Sequence, residues 1–305
     1  MKILIVGGTG MVGGHAALRL HDKGHEVTLA SRKPAPVTTP LCEMEFVKLN
    51  YIEDDIPASA LARFEAVIFC AGQDARHMPV GAAEESYMWR TNAVALPAFF
   101  AKLREAGVST AIYIGTFYPQ AAPYLAPNNH YIRSRKLADE AICALATDKF
   151  RVFSINPPWL PGAVEGLSTI LWDPYLRYAA GMTDLPIFAP PGGVAYMSCD
   201  SVTDAIEGGL ERGQAGASYL VNDENLTFET FLGALFEAFG NPAPKVENHE
   251  HPIIIDLAIA WGRGNSLFYE ADPQEAALLG YRRGDIVRTI KEEMVPEFRR
   301  RTGLR

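Results

Sequence analysis

The sequence predicts an α/β protein with a doubly wound, parallel Rossmann sheet and a smaller, mostly helical C-terminal substrate lobe. Two observations lead to this prediction. In the first half of the chain, short apolar segments rich in β-branched residues alternate with longer segments of helical periodicity. After about residue 160 the pattern changes to a proline-rich stretch and then to a mostly helical one. The alternation in the first half is typical of parallel strands joined by right-handed helical crossovers.

The first half contains most elements of the predicted sheet. Its apolar segments are nearly continuous, as expected of strands that are buried on both faces. We predict strands at residues 2–6, 26–30, 45–49, 66–70, 110–114 and 151–155. We predict helices at residues 12–23, 84–106 and 131–145. In the second half we predict a strand at 217–222 and helices at 201–213, 227–239, 252–261, 273–279 and 285–294.

Composition and charge argue against several classes of function. The chain has 305 residues and a net charge of −8, and a negative protein repels a nucleic-acid backbone. The four cysteines and seven histidines are scattered, so we expect no disulfide framework and no metal site. No segment reaches the ~20 apolar residues that a membrane helix needs. No signal peptide is evident either, so we expect a cytoplasmic protein with no nucleic-acid or membrane partner.

A glycine-rich segment, GGTGMVGG at residues 7–14, follows the first predicted strand and opens the first predicted helix. Gly7, Gly10 and Gly13 stand three residues apart. Glycines at this spacing let the chain turn sharply, let the backbone approach a pyrophosphate and let the helix pack close to the sheet. The free N–H groups at the amino end of the helix then favour a phosphate. We therefore expect the loop to bind a dinucleotide, through these glycines and the residues among them: Thr9, Met11 and Val12.

The end of the second predicted strand indicates which dinucleotide. NAD-binding sites usually have an acidic residue there, which holds the 2′-hydroxyl of the ribose. This chain has Ser31, Arg32 and Lys33 instead. A hydroxyl and two cations suit a 2′-phosphate, so we predict NADP(H) as the cofactor. We therefore expect an NADP-binding Rossmann domain at residues 1–160, completed by about 194–222. We expect a substrate-binding lobe from residues 161–193 and 223–305.

Over nearly its whole length the chain resembles the extended and atypical short-chain dehydrogenase/reductases, the NAD-dependent epimerase/dehydratase group. The glycine spacing GGTGMVG and the turn CAG at residues 70–72 carry this resemblance, together with the asparagine of RTNAVA, Asn92. The resemblance implies a structural role for Asn92. It also implies three sets of cofactor contacts. Asn50 is expected near the adenine, where the family usually has Asp. Ala71 and Gly72 are expected near the adenine ribose, and Pro157 against the nicotinamide ring.

The resemblance also implies a catalytic site. Thr116, in IGTFYP, occupies the position of the family's Ser or Thr that binds the substrate oxygen. Tyr131, in NHYIRSRKLADEA, aligns with the family's proton-transferring Tyr in YxxSKxxAE. Arg135 stands where that motif has Lys, and Lys136 follows it. Because residues four apart share a helix face, we expect Arg135 to stabilise the Tyr131 phenolate and Lys136 to point away. Arg stays protonated, so unlike Lys it cannot shuttle a proton.

Three functions are consistent with these residues. The first is an NADPH-dependent oxidoreductase that reduces a small carbonyl-type substrate by hydride transfer, with Tyr131 as the proton donor. The second is an NAD(P)-dependent sugar-nucleotide epimerase or dehydratase, and the third is a non-catalytic NADP-binding regulator, because Arg135 replaces the usual Lys. The partner in the first two is a small-molecule substrate. A homodimer through the helices at 84–106 and 131–145 and a monomer both stay open.

Overall fold

A seven-stranded sheet, parallel throughout, forms the centre of the computed structural model, which describes residues 1–304. The strands of the described chain are β1 (Lys2–Val6), β2 (Glu26–Ser31), β3 (Glu45–Lys48), β4 (Ala66–Phe69), β5 (Thr110–Ile114), β6 (Arg151–Asn156), β7 (Gly193–Tyr196), β8 (Ser218–Leu220), β9 (Glu224–Thr227) and β10 (Ser266–Leu267). The central sheet has the order β3-β2-β1-β4-β5-β6-β8. The chain therefore winds outward in both directions from β1, which confirms the predicted doubly wound Rossmann fold.

Helices cover both faces of this sheet. The α-helices of the described chain, which also include those of the lobe outside the sheet, are α1 (Met11–Asp22), α2 (Ala58–Leu61), α3 (Glu84–Met88), α4 (Leu96–Glu105), α5 (Tyr118–Ala121), α6 (His130–Cys143), α7 (Asp173–Ala179), α8 (Cys199–Arg212), α9 (Phe228–Phe239), α10 (Pro273–Leu279), α11 (Ile286–Arg288) and α12 (Val295–Thr302). A π-helical segment, Trp89–Ala95, joins α3 to α4, so the helix predicted at 84–106 is one rod with a widened turn. A second such segment, Thr289–Met294, joins α11 to α12 and carries that helix beyond residue 294. Within residues 1–304, none of these helices combines the length and the apolar character that a membrane crossing requires.

The strands are buried because their side chains point alternately into two cores. Ile3 and Ile5 of β1 pack with α1 and α8, whereas Leu4 and Val6 pack with α4 and α6 on the other face. All four are at most 1% exposed. This two-sided burial explains why the strand segments read as continuous apolar runs rather than as an alternating pattern.

A third core lies apart from the central sheet and is rich in aromatic residues. It is built mainly by α7, α9 and the helix α11–α12, and contains Trp172, Phe231 and Phe298. A small sheet of order β10-β7-β9 contributes to it. We propose this unit as the substrate-binding lobe. β8 and α8 join the central sheet and its core, whereas β7 pairs with β9 and β10.

The prediction of a helix at residues 252–261 is wrong. Within that segment only a 3₁₀ turn, Asp256–Ala258, is helical. The buried residues Ile254, Ile259 and Trp261 do not follow a helical spacing. The ring of His251 also accepts the backbone N–H groups of Ile253 and Ile254, which holds the start of the segment in a non-helical turn. Apolar content alone did not distinguish this buried loop from a helix.

Carboxylates of α8 tie α1 to the C-terminal part of the chain. Asp200 forms ion pairs with Arg19 of α1, and with Arg282 at 3.3 Å and Arg288 at 2.5 Å. Asp204 pairs with Arg19 at 2.9 Å and with Arg282 at 2.6 Å. These acids are not the cap of α8, because Ser198 accepts the N–H of Ser201 there. These ion pairs hold α1, the helix that follows the glycine loop, against α8 and the C-terminal part of the chain.

His251 should make the stability of the protein depend on pH. Its Nε2–H donates to the carbonyl of Phe188 at 3.1 Å while Nδ1 accepts two N–H groups, so only the neutral ring fits. Burial lowers the pKa of His251 to about 4, whereas an unfolded histidine has a pKa of about 6.5. The stabilisation is therefore fully present above pH ~6.5 and is lost as the pH falls toward 4.

The variant His251→Asn should show a shallower pH dependence of its free energy of unfolding. Between pH 6.5 and 4 we expect about one proton fewer to be taken up on unfolding than in the wild type. Urea denaturation at several pH values measures this difference. The exposed His21, changed to Asn, is the control and should leave the dependence unchanged. Equal pH dependence in wild type and His251→Asn would contradict the assignment.

Candidate dinucleotide-binding and catalytic site

A cavity of about 670 Å³ opens at the carboxyl ends of β1, β2 and β4. This is the edge at which the strand order changes direction, where ligands bind in open α/β sheets. The cavity is lined by many of the predicted cofactor-binding residues: Gly7, Thr9, Gly10, Ser31, Arg32, Lys33, Asn50, Ala71 and Gly72. The remaining predicted ones lie outside its lining: Met11, Val12, Gly13 and Pro157.

Two glycines of the loop are required by close backbone packing. Gly7 has a φ of +84°, and a Cβ atom on it would lie 2.9 Å from the backbone nitrogen of Ala71. A Cβ atom on Gly13 would lie 2.5 Å from the carbonyl oxygen of Gly7. These contacts let the turns after β1 and β4 touch and let α1 start directly against β1. The spacing therefore has the physical basis that the sequence suggested.

The amino end of α1 is available for an anion. Gly10 is its N-cap residue, and within the described chain no side chain caps this end. The first turn also contains no acidic residue. Its N–H groups and the positive end of the helix dipole are therefore free to bind a phosphate.

The end of β2 forms one wall of the cavity. Thr9 donates its hydroxyl proton to Ser31 at 2.9 Å, which links the glycine loop to this wall. Ser31 in turn donates to the backbone carbonyl of Lys33. Arg32 and Lys33 are exposed, and neither forms an ion pair within residues 1–304. Two cations are thus presented to solvent at the rim of the cavity.

Asn50 lies in the lining, but its amide already has partners. Its Nδ2 donates to Glu53 at 3.0 Å, and its Oδ1 accepts the N–H of Ile52 at 3.2 Å. These bonds shape the turn that follows β3. The side chain forms a wall of the cavity, and one N–H and one lone pair of its amide have no partner among these bonds.

Beyond Gly72, the segment after β4 continues the cavity wall with residues that the sequence did not predict. Asn92 of the π-helical segment donates to the carbonyl of Gln73 at 3.1 Å and to Ser134 at 3.2 Å. Tyr87 donates to the side chain of Gln73 at 2.9 Å. These bonds hold the 3₁₀ turn Ala75–His77 over the cavity, which Arg76 also lines. Asn92 therefore has a structural role, as the resemblance implied.

Arg135 packs directly beneath the turn after β4. It is 5% exposed, and its Nη2 donates to the carbonyl of Ile114 at the end of β5, at 3.1 Å. A Cβ atom on Gly72 would lie only 1.9 Å from its Nη1, so a larger residue there would displace the guanidinium. The guanidinium carbon lies 5.7 Å from the ring centre of Tyr131 and 5.2 Å from that of Tyr113. The structure thus brings Tyr131, Arg135 and Gly72 together.

Lys136 lies on the opposite side of α6, as predicted. It is exposed and lies 3.7 Å from Glu140. It therefore does not supply positive charge to Tyr131. Arg135 fills that position instead.

Thr116 is held in place by a residue that the sequence analysis missed. The side-chain oxygen of Asn156, at the end of β6, accepts the backbone N–H of Thr116 at 3.1 Å. The next residue, Phe117, donates its N–H to the carbonyl of Pro157 at 3.2 Å. The only sequence signal for Asn156 was its position, a polar residue at the carboxyl end of a buried strand. Asn156 and Pro157 together fix the segment that carries the Thr116 hydroxyl.

Aromatic rings surround the other side of Tyr131. Tyr118 meets it edge to face at 6.3 Å and lies 6.2 Å from Trp261. Trp159 donates its indole N–H to the hydroxyl of Tyr118 at 3.4 Å. Burial raises the pKa of Tyr118, so its hydroxyl stays neutral and keeps a proton to donate. Burial likewise raises the pKa of Cys70 to about 12, which makes that thiol a poor nucleophile.

Comparison with known proteins identifies the family. Residues 3–175 match the NAD dependent epimerase/dehydratase family. A 74-residue stretch is 36% identical to the epimerase family protein SDR39U1 of Bos taurus, and covers 24% of this chain and 21% of that protein. The chain thus matches about a fifth of the length of this curated relative.

Solved structures share the fold across the whole chain. A putative epimerase from Burkholderia cenocepacia J2315 has a TM-score of 0.72 at 19% identity, and the match covers 98% of both chains. The UDP-glucose-4-epimerase of Stenotrophomonas maltophila, solved with bound NAD and formylated UDP-arabinopyranose, has a TM-score of 0.76 at 15% identity, again over 98% of both chains. Since the family match spans more than half of the sequence, this chain belongs to the NAD dependent epimerase/dehydratase family.

Proposed function

We propose that the protein is an NAD(P)-dependent enzyme that transfers hydride at a carbinol or carbonyl carbon of a small substrate, with Tyr131 as the proton-transferring group. The observation that carries this proposal is the buried guanidinium of Arg135, which lies beside the Tyr131 ring and beneath Gly72 in the cavity wall. Gly72 lines the dinucleotide cavity, and Arg135 and Tyr131 lie next to it outside that lining.

The residues present fit a dinucleotide. Gly7, Gly10 and Gly72 line the cavity with backbone, and the amino end of α1 is uncapped. Arg135 has a buried Nε without a hydrogen-bond partner among residues 1–304, and no carboxylate pairs with it there. A buried cation of this kind is costly unless a ligand or a neighbouring dipole compensates it. A bound nicotinamide supplies or accepts the hydride, which is chemistry that the side chains cannot perform.

The side chains divide the remaining work. The hydroxyl of Thr116, on the segment held by Asn156, binds the substrate oxygen. Tyr131 gives a proton to that oxygen or takes one from it. Arg135 keeps a fixed positive charge beside the Tyr131 ring and does not itself exchange a proton. Tyr118 and Trp159 place an apolar surface next to Tyr131 that limits access of water.

Two reaction classes use this arrangement, and the family membership favours the first. It is an epimerase or dehydratase, in which hydride leaves the substrate carbon and returns to the substrate within one turnover. The second is an NADPH-dependent reductase of a small carbonyl compound. Arg32 and Lys33 support the second, because their free cations suit a 2′-phosphate. An epimerase should retain its dinucleotide on purification, whereas a reductase should consume NADPH in proportion to product.

Arg32→Ala should change the preference for the dinucleotide. Loss of a charge-assisted contact to the 2′-phosphate should weaken NADP(H) binding by about tenfold or more. NAD(H) binding should change little, since it has no phosphate there. Calorimetric titration with both dinucleotides measures the two affinities. Arg104→Ala, an exposed arginine on α4, is the control and should bind both like the wild type. An equal loss of both affinities in Arg32→Ala would contradict the NADP(H) assignment.

Tyr131→Phe should abolish turnover and spare cofactor binding. We expect kcat to fall by about 100-fold or more, because the proton donor is lost while the ring remains. The assays are interconversion of UDP-hexoses and NADPH oxidation with a panel of aldehydes and ketones. Tyr124→Phe, which changes an exposed tyrosine, should keep full activity.

Arg135→Lys completes this test because it restores the residue usual in the family. It should retain turnover, since a cation stays at the same position on the helix face. Unchanged turnover in Tyr131→Phe would overturn the mechanism. Dinucleotide binding without turnover of either panel would instead favour the non-catalytic regulator.

A further inference from the structure

We propose that Arg76 is an anion-binding residue of the cavity and that its ligand is a diphosphate group. This inference rests on the proposed dinucleotide site. A diphosphate could belong to the cofactor or to a nucleotide-type substrate, and both present the same chemistry to a guanidinium.

Arg76 is placed to meet a ligand of the glycine loop. It lies in the 3₁₀ turn that follows β4 and lines the same cavity as Gly7 and Gly10. Its side chain is 47% exposed, so the guanidinium is open to the cavity and to solvent. The turn is not a loose loop, because Asn92 and Tyr87 anchor Gln73 at its start.

The guanidinium is held in one orientation by Asp74. Its Nε lies 3.1 and 3.2 Å from the two carboxylate oxygens, and its Nη2 lies 2.6 Å from one of them. Asp74 is itself fixed, because it accepts the backbone N–H of Arg76 at 2.9 Å as the cap of the turn. Within residues 1–304, Nη1 makes no hydrogen bond, so one edge of the guanidinium remains available.

Asp74 stays ionised and therefore keeps this orientation. Partial burial alone would raise the pKa of Asp74. Hydrogen bonds from His77 and Arg76 outweigh that effect and hold the pKa well below its usual range. Arg76 is thus oriented before a ligand arrives, which lowers the entropic cost of binding.

Arg76 adds a third Arg or Lys side chain to the two at the end of β2. The glycine loop offers only backbone N–H groups and a helix dipole to a diphosphate, which carries about two negative charges. Arg32 and Lys33 stand at the end of β2, where the 2′ position of the ribose is expected. Of the lining residues, Arg76 is the arginine or lysine that lies outside that strand end. It therefore offers the phosphates a charged hydrogen-bond donor through Nη1, the edge that Asp74 leaves free.

The test compares Arg76→Gln with the wild type in two calorimetric titrations. The first uses ADP and NAD⁺, which carry a diphosphate and no 2′-phosphate. The second uses UDP with protein already saturated with dinucleotide. We expect binding in one of these titrations to weaken by about tenfold or more, because a charge-assisted hydrogen bond is lost. Loss in the first assigns Arg76 to the cofactor, and loss in the second assigns it to the substrate.

Two variants separate ligand binding from a purely structural role. Asp74→Asn breaks the same ion pair but leaves the cation, so it should weaken diphosphate binding less than Arg76→Gln does, because the charged donor remains although its fixed orientation is lost. Arg63→Gln is the matched control, because Arg63 is 48% exposed and pairs with Glu45 at 2.8 Å outside the cavity. Arg63→Gln should bind every ligand like the wild type.

The proposal is overturned if Arg76→Gln binds ADP, NAD⁺ and UDP like the wild type. It is also overturned if Asp74→Asn and Arg76→Gln weaken ligand binding equally. The loss of affinity would then come from breaking the ion pair and not from removing the guanidinium. Failure of the wild-type protein to bind any dinucleotide would refute the proposed function instead, so the two failures are distinguishable.

Discussion

Close backbone packing at the carboxyl edge of the central sheet is the constraint on which the site depends. The turns after β1 and β4 touch at Gly7 and Ala71, and α1 begins against the carbonyl of Gly7. A side chain at Gly7 or Gly13 would separate these elements by more than the packing allows. The cavity, the exposed amino end of α1 and the orientation of the segment after β4 all follow from this contact. A change here would alter the whole site rather than one ligand contact.

The buried guanidinium of Arg135 packs between Gly72 in the cavity wall and the Tyr131 ring. Its guanidinium contacts the carbonyl of Ile114 and the rings of Tyr113 and Tyr131, and presses against Gly72. Carbonyl dipoles and ring faces compensate only part of the cost of burying a charge. We propose that this fixed charge beside the Tyr131 ring takes the place of the Lys that the family usually has.

The ion pairs of α8 connect the site to distant parts of the chain. Arg19 belongs to the helix that presents N–H groups to the cavity, and it pairs with Asp200 and Asp204. Arg282 and Arg288 bind the same carboxylates from the C-terminal region. His15, Asp200 and Glu293 lie within 4.8 Å of one another, but the arginines already occupy Asp200, so this cluster is better explained as a structural ion network. It stabilises the position of α1 through contacts between residues far apart in the sequence.

The sequence by itself determined the central sheet, the glycine loop and the pairing of Tyr131 with Arg135. Each depends on local spacing: apolar runs make buried strands, glycines three apart make the turn into α1, and residues four apart share one face of α6. The tertiary structure alone decided which other residues lie near these elements. Arg76, Asn156 and Tyr118 join the site through contacts with residues distant in the chain, which no local pattern encodes. The same holds for residues 252–261, where the ring of His251 takes backbone N–H groups and an apolar segment becomes a buried loop instead of a helix. Local periodicity fixes the elements, whereas the pairing of polar groups across the fold determines what they enclose.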